Sequence, residues 1–460
     1  MTGIEVAAAV AAGKTSAAAV IEACLNRIDR LNPVLNAFTA VTSDRARAKA
    51  AALDVAVAAG ARPGPLAGVP FAVKNLIDVA GLPTLAGSKI NRDHPPAVAD
   101  APLITRLEAA GAILVGALNM GEYAYDFTGE NAHDGPSRNP HDTARMSGGS
   151  SGGSGSAVGG GLVPLALGSD TNGSIRVPSS FCGLFGLKPT YGRLTRAGSF
   201  PFVSSLDHLG PFALCTADLA ASYDAMQGFD PSDPGCADRP VEPVSGVLDS
   251  GIGGLRIASA DGYFRAGAAP EALAAVDGTA AALGATETVT IPDAQCARSA
   301  AYSITTTEGA ALHLQRLRTR PDDFDPDVRD RLIAGALVPA VAVVQAQKFR
   351  RRFREQMLRL FDTVDAILAP ATPCVAPLIG QKTFILDGKE LLLRPNIGIY
   401  TQPISFVGLP VVAVPVPTAS GLPIGVQIIT APSREDLALR IARFLEATGA
   451  ACTLDPKLEA

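Results

Sequence analysis

The chain has 460 residues, of which 47% are hydrophobic and 18% charged, so it can bury a large core and extensive disorder is not expected. Its formal net charge of −5 argues against nucleic-acid binding as the main activity. No apolar run predicts a membrane span, and the acidic, alanine-rich first residues do not resemble a signal peptide, so we predict a cytoplasmic protein.

Cysteine and histidine patterns predict neither a disulfide framework nor a metal site. The seven cysteines are scattered, odd in number and never spaced as Cys-x-x-Cys. The five histidines form no His-Glu-x-x-His or similar ligand spacing. We therefore expect a protein without metal or cofactor.

In chain order, helical and strand patterns alternate. Ser16 is a predicted N-cap, and the strand over 69–73 ends directly before Lys74. The predicted elements are helices over 16–31 and 43–59, a strand over 69–73, a helix over 103–110, strands over 113–117, 165–167 and 255–258, a helix over 270–283, strands over 366–368, 411–416 and 426–429, and a helix over 435–448.

This alternation predicts an α/β fold with a large, mixed, mostly buried β-sheet flanked by helices on both faces. We expect a single domain over 1–460, because no linker or repeat interrupts the chain. Its core motifs occupy about 66–215, a helical side layer about 270–360, and C-terminal strands and a helix 361–450. The Pro-, Gly- and Asp-rich stretch over 230–254 is predicted to be a surface loop.

Two loops rich in glycine and serine lie close together, Gly-Gly-Ser-Ser-Gly-Gly-Ser at 148–154 and Gly-Ser-Asp-Thr-Asn-Gly-Ser-Ile-Arg at 168–176. Gly153-Ser154-Gly155 lacks the third glycine of a dinucleotide fingerprint, and the Gly-Lys-Ser/Thr of a P-loop does not occur here. The residues 149–153 match a nucleophile elbow, but that motif requires a preceding strand and 139–145 is polar. The two loops, read together with Lys74, instead predict a serine hydrolase whose base is a lysine.

A lysine can act as a base only when it is neutral, although its ordinary pKa near 10.4 keeps it charged at pH 7. Burial disfavours the ammonium form and lowers that pKa, and the apolar residues 69–73 before Lys74 are consistent with burial. The base would then accept the proton of a serine hydroxyl and make the oxygen a nucleophile.

Lys74, the two serine loops, Leu-Ala-Gly-Val-Pro at 66–70 and Gly-Leu-Lys-Pro-Thr at 186–190 together resemble the amidase signature family. The resemblance covers most of the chain. It implies that Ser174 is the nucleophile, that Ser150 is a bridging serine in a cis peptide, and that Lys74 is the base. The remaining expected site residues are Thr171, Asn172 and Gly173, whose backbone N–H groups would hold the oxyanion, and Ser151, Asp170 and Arg176 in supporting roles, Ser151 bonding the lysine amine and the other two bracing the loop.

Segments at 85–93, 196–202 and 308–314 resemble the branch of that family that hydrolyses 1-carboxybiuret, a small urea-type amide, with release of ammonia. A substrate carboxylate favours an arginine, and Arg316, Arg318 and Arg394 are candidates, although an ordinary surface charge is the favoured interpretation of each. Tyr125 could line the pocket or belong to the core. The resemblance also implies a small helical partner subunit in a hetero-oligomer. The alternatives are a glutaminase-type subunit of a tRNA-dependent amidotransferase and a non-catalytic scaffold subunit.

Overall fold

An eleven-stranded mixed β-sheet forms the centre of the computed structural model, which describes residues 1–456 and residue 458. The strands are β1 (Phe38–Val41), β2 (Pro70–Lys74), β3 (Ile113–Leu118), β4 (Arg138–Asn139), β5 (Asp142–Met146), β6 (Leu165–Asp170), β7 (Phe185–Lys188), β8 (His208–Ala213), β9 (Ile257–Asp261), β10 (Glu287–Thr290), β11 (Ala366–Pro370), β12 (Thr383–Leu386), β13 (Lys389–Leu392), β14 (Val411–Pro417) and β15 (Pro423–Thr430). Their order in the sheet is β1-β3-β2-β6-β8-β7-β14-β15-β11-β9-β10. The pairs β4–β5 and β12–β13 form two small separate sheets.

Parallel and antiparallel pairs alternate across this sheet in blocks. The strands β3, β2 and β6 run parallel to one another, as do β11, β9 and β10. The strands between these blocks pair antiparallel. Most strands of the sheet are buried along their whole length, which requires cover on both faces. The predicted mixed α/β fold is confirmed.

Helices cover the sheet. They are α1 (Gly3–Ala11), α2 (Ala17–Leu35), α3 (Ser43–Ala58), α4 (Pro102–Ala109), α5 (Gly152–Gly159), α6 (Arg176–Cys182), α7 (Thr216–Met226), α8 (Pro270–Ala282), α9 (Ala294–Thr319), α10 (Pro326–Ala336), α11 (Ala340–Leu360), α12 (Leu393–Asn396), α13 (Gln402–Ser405) and α14 (Glu435–Ala447). Ser16 caps α2 as predicted, its hydroxyl accepting from the Ala19 N–H at 3.0 Å. The helix ends at Leu35, beyond the predicted Leu31, and Asn36 follows in the left-handed region.

The helical side layer is built from α9, α10 and α11. Both α10 and α11 pack on α9, and α9 also contacts α13. In the described chain no single helix is long and apolar enough to cross a membrane. The helices α10 and α11 meet the length and composition criteria only as a pair, and they bend by 94° between them. Segment 139–145, read from the sequence as polar and without a strand, contributes to the short strands β4 and β5 outside the main sheet.

The topology brings the chemical motifs to one edge of the sheet. Because β2 and β6 are parallel neighbours, their carboxyl ends lie side by side. Lys74 is the last residue of β2 and Asp170 is the last residue of β6. A crevice at the carboxyl ends of parallel strands is where α/β proteins commonly bind ligands. The fold therefore brings Lys74 next to the second serine loop.

Candidate active site

The Lys74 side chain is fully buried and surrounded by three serine hydroxyls. Its Nζ lies 2.7 Å from Ser150 Oγ, 3.0 Å from Ser151 Oγ and 2.9 Å from Ser169 Oγ. Ser150 follows a cis peptide bond after Gly149, as the family resemblance implies. The structure thus joins the lysine to both serine loops, with Ser169 as a contact that the sequence analysis did not name.

The directions of these hydrogen bonds follow from the partners of Ser151. Its hydroxyl donates to the Ser169 carbonyl at 3.1 Å, so toward Lys74 it can only accept. A neutral amine has two N–H donors and one lone pair, and Ser151 uses one donor. Of Ser150 and Ser169, one can therefore accept the second N–H while the other donates to the lone pair. The arrangement allows Ser150 to give its proton to Lys74.

Burial lowers the pKa of Lys74 to about 7, against the attraction of the carboxylates of Asp170, Asp207 and Asp126. Close to half of the Lys74 amines are consequently neutral near pH 7. A lysine with this pKa can accept and return a proton at neutral pH, which a solvated lysine cannot do.

The loop before Ser174 holds its peptide groups in a fixed orientation. The Asn172 carbonyl accepts a hydrogen bond of 2.6 Å from Thr401 Oγ1. Gly173 has a φ of 143°, and a Cβ at this position would collide with that Thr401 hydroxyl. Within the described residues no hydrogen bond occupies the backbone N–H groups of Asn172, Gly173 and Ser174. These groups are available to an oxyanion.

Asp170 and Arg176 form a buried ion pair behind this loop. The Arg176 Nε donates to Asp170 Oδ2 and its Nη2 to Asp170 Oδ1, both at 3.0 Å. Arg176 also donates to Gln427 Oε1 at 2.7 Å, which ties the pair to β15. Burial alone would raise the pKa of Asp170, but the Arg176 guanidinium holds it well below its usual range. Because Asp170 also accepts from the Ile175 N–H at 3.1 Å, the pair fixes the chain on both sides of Ser174.

A cavity of about 340 Å³ opens in front of Ser174. Thr171 and Asn172 line it beside Ser174, and Phe127 and Phe202 contribute apolar surface. Lys74 and Ser150 are fully buried and do not line it. The volume suits a small ligand rather than a polymer.

Two arginines line the cavity and differ in their partners. Arg394, one of the predicted candidates, lies 3.1 Å from Asp126 and 3.2 Å from Asp327, so carboxylates already neutralise its charge. The guanidinium of Arg331, not named from the sequence, lies over the ring of Tyr125 at 3.9 Å from its centre. It donates to the backbone carbonyls of Tyr125 and Asp327 and, within the described part of the chain, forms no ion pair. Tyr125, expected either to line the pocket or to belong to the core, does both.

The other two arginine candidates do not line this cavity. Arg316 lies over the rings of Tyr123 and Phe200, at 5.9 and 5.3 Å from their centres. Arg318 is exposed on α9. Tyr302 and Thr305 are the α9 residues that line the cavity. Arg316 lies on nearly the same face of α9 as Thr305 but about three turns, roughly 16 Å, farther along the helix, whereas Arg318 lies on the other side of the helix.

Asp207 is a further site residue that the sequence analysis missed. Its Oδ1 accepts from Thr171 Oγ1 at 2.6 Å, and its Oδ2 accepts from the N–H groups of Phe202 and Val203, both at 2.9 Å. Burial raises the pKa of this carboxyl. The side chain joins the oxyanion loop to an apolar wall of the cavity. No sequence motif marks it, since its contact with Thr171 joins residues 36 positions apart.

Among the described residues, no group of three His, Cys, Asp or Glu side chains could hold a metal ion. A family model described as amidase matches residues 19–439. The chain belongs to the amidase family. Membership of this family supports an amidohydrolase, and the predicted enzyme class is confirmed.

Relatives within the amidase family extend over the whole chain. AtzE, a 1-carboxybiuret hydrolase subunit of Pseudomonas sp. (strain ADP), is 54% identical over 453 residues, which are 98% of this chain and 99% of that protein. A glutamyl-tRNA(Gln) amidotransferase subunit of Methylococcus capsulatus is 37% identical over 475 residues, 96% of each protein. A solved structure, described as a vestigial protein complex that reveals the evolutionary origins of an s-triazine catabolic enzyme, superposes with a TM-score of 0.98 at 54% identity, covering 99% of this chain and 100% of that one.

Proposed function

We propose that this amidohydrolase cleaves a small urea-type amide related to 1-carboxybiuret and releases ammonia through an acyl-enzyme on Ser174. The observation that carries the proposal is the distance of 2.7 Å between the buried Lys74 Nζ and Ser150 Oγ. The neighbouring Gly149 N–H donates to the carbonyl of Phe127 at 2.8 Å, and Phe127 lines the same cavity as Ser174. The similarity to AtzE supports the substrate class.

In the proposed reaction, neutral Lys74 accepts the proton of Ser150 while Ser150 takes that of Ser174. The Ser174 oxygen attacks the amide carbon, and the N–H groups of Asn172 and Gly173 stabilise the oxyanion. Ser150 then returns a proton to the departing nitrogen, which leaves as ammonia, and Lys74 reprotonates Ser150. Water then attacks the acyl-enzyme, giving a proton to Ser150 while Lys74 accepts the proton of Ser150. The Ser174 oxygen leaves, regains a proton from Ser150, and the acid product is released.

A carboxylate on the substrate would bind Arg331 rather than Arg316 or Arg318. Within the described residues Arg331 forms no ion pair, and its stacking on Tyr125 holds the planar guanidinium in a fixed orientation. The N–H groups of a planar guanidinium can donate two parallel hydrogen bonds to the two oxygens of a carboxylate. Arg394 would contribute less, because the carboxylates of Asp126 and Asp327 already offset its charge.

The test is a substrate panel of 1-carboxybiuret, biuret, allophanate, malonamide and glutamine, with ammonia as the measured product. We expect the highest kcat/KM for 1-carboxybiuret, and Arg331→Ala should lower kcat/KM for this anion far more than for neutral biuret. The matched control is Arg329→Ala on the same helix, since Arg329 pairs with the exposed side chains of Asp322 and Asp330. Ammonia release from glutamine, with none from the four other compounds, would contradict the proposal.

The glutaminase alternative rests on the relatives that are named as subunits of glutamyl-tRNA(Gln) amidotransferase. It predicts that glutamine hydrolysis appears when a tRNA-binding partner is added. The scaffold alternative predicts no covalent chemistry, so a fluorophosphonate that fails to label Ser174 in wild-type protein would favour it.

We also propose that the enzyme works with a small helical partner subunit. The structural relative comes from a protein complex, which supports this idea. Co-expression with a small open reading frame beside the gene, followed by purification through a tag on one chain, tests it. Recovery of this chain alone, with full activity, would contradict the partner requirement.

A further inference from the structure

The side chain of Asn172 has no role in the proton transfers described above, yet it lies at the centre of the site. It precedes Ser174 by two residues, is only 6% exposed and lines the cavity. Its Nδ2 donates to Thr305 Oγ1 on α9 at 2.9 Å. Its Oδ1 has no hydrogen-bond partner within the described residues.

A buried amide oxygen without a donor is uncommon in folded proteins, because most buried polar atoms are paired. The bond to Thr305 fixes the amide plane and leaves the oxygen as the free end. Since both Asn172 and Thr305 line the cavity, a bound ligand is the natural source of the missing donor. The acceptor selects a ligand that carries an N–H group.

The position of that N–H follows from the proposed reaction. The departing nitrogen must face Ser150 and Lys74, which receive or deliver the proton in the proposed reaction and are buried without lining the cavity. The other substituent of the scissile carbonyl then occupies the cavity itself, where Asn172 lies. In a urea-type amide this substituent is an N–H, whereas in a carboxylic diamide it is a CH₂.

We infer that Asn172 is a specificity-determining residue whose Oδ1 accepts a hydrogen bond from the N–H on the acyl side of the scissile carbonyl. This inference rests on the proposed function and adds a reason for the preference for ureido amides over carbon-linked amides. A site that hydrogen-bonds an N–H of its substrate discriminates against the analogue that lacks it, because its own polar atom is then left unpaired.

Biuret and malonamide test this directly, since they differ by an N–H in place of a CH₂. The measured quantity is the ratio of kcat/KM for biuret to that for malonamide or, where turnover is slow, the ratio of their inhibition constants against 1-carboxybiuret. One hydrogen bond between neutral groups corresponds to about a tenfold factor. Asn172→Ala should therefore lower the ratio about tenfold relative to wild type, and intrinsic reactivity cancels in the comparison.

Thr305→Val removes the bond that orients the amide and should lower the ratio by a smaller factor. Thr307→Val is the matched control, because its hydroxyl donates to Ser303 O of its own helix at 2.8 Å and should leave the ratio unchanged. If Asn172→Ala does not fold, Thr305→Val decides alone.

An unchanged ratio in both Asn172→Ala and Thr305→Val overturns the inference and leaves the proposed function intact, provided that wild type hydrolyses 1-carboxybiuret. If wild type hydrolyses no ureido amide, the proposed function itself fails, and the inference fails with it.

Discussion

Replacing Lys74 with methionine should abolish amide hydrolysis and change how stability depends on pH. Methionine has a similar length and fills the same buried space without a charge or a proton-accepting nitrogen. In wild type the base must be neutral, so kcat/KM should rise with pH and level off above the pKa of about 7. In Lys74→Met no such active form exists at any pH.

The effect on stability follows from the same pKa. Unfolded Lys74 keeps its proton up to about pH 10.5, whereas folded Lys74 loses it above about pH 7. Between these values the unfolded state binds more protons, so the free energy of unfolding rises with pH, by about 1.4 kcal/mol for each pH unit. Between pH 7 and pH 9 Lys74 should therefore contribute a rise of about 2 kcal/mol, which is absent from Lys74→Met.

Urea unfolding of both proteins at pH 7 and pH 9 measures this contribution. The free energy of unfolding of the variant minus that of wild type should be about 2 kcal/mol larger at pH 7 than at pH 9. Taking the difference between the proteins removes the contributions of other groups. A difference that is the same at both pH values would refute the depressed pKa of Lys74 and, with it, the reasoning for a lysine base.

Three further substitutions test other parts of the site. Ser174→Ala should abolish turnover and fluorophosphonate labelling without changing the circular dichroism spectrum; measurable turnover would remove Ser174 as the nucleophile. Lys74→Arg should stay inactive at any pH up to 10, because arginine does not give up its proton, and ammonia release by this variant would contradict the base role. Gly173→Ala should lower kcat at least about 100-fold, since a Cβ would collide with Thr401 and displace an oxyanion donor; single-turnover kinetics would show the loss in acylation.

Most of the fold could be predicted because its elements carry strong local patterns. The helix capped by Ser16 and the strand before Lys74 were located to within a few residues. The strands β7 and β8 were not predicted as strands. They are four and six residues long, are buried throughout and carry no alternation, so periodicity does not distinguish them from loops. Their place in the sheet depends on pairing with β6 and β14, which are distant in the sequence.

Some residues of the candidate site could likewise be predicted from the sequence and others could not. Lys74, Ser150 and Asp170 belong to motifs with fixed spacing, and the structure brings them together. Asp207 and Thr401 act through hydrogen bonds to the oxyanion loop from segments without a motif, so only the tertiary structure reveals them. The arginine proposed to bind the substrate could not be predicted either, because the sequence identifies a charge but not its partners.

A second buried lysine shows why burial alone does not define the base. Lys188 ends β7, is fully buried like Lys74, and burial likewise lowers its pKa to about 7. Its Nζ, however, donates to the backbone carbonyls of Pro189 and Leu409, which carry no proton to exchange. Lys74 instead contacts the hydroxyls of Ser150, Ser151 and Ser169, which carry exchangeable protons. The two lysines share a depressed pKa and differ in their neighbours, so the hydroxyls around Lys74 determine its chemistry. Lys188→Met should accordingly change the pH dependence of stability in the same direction while amide hydrolysis persists, and loss of hydrolysis in a folded Lys188→Met protein would contradict this distinction.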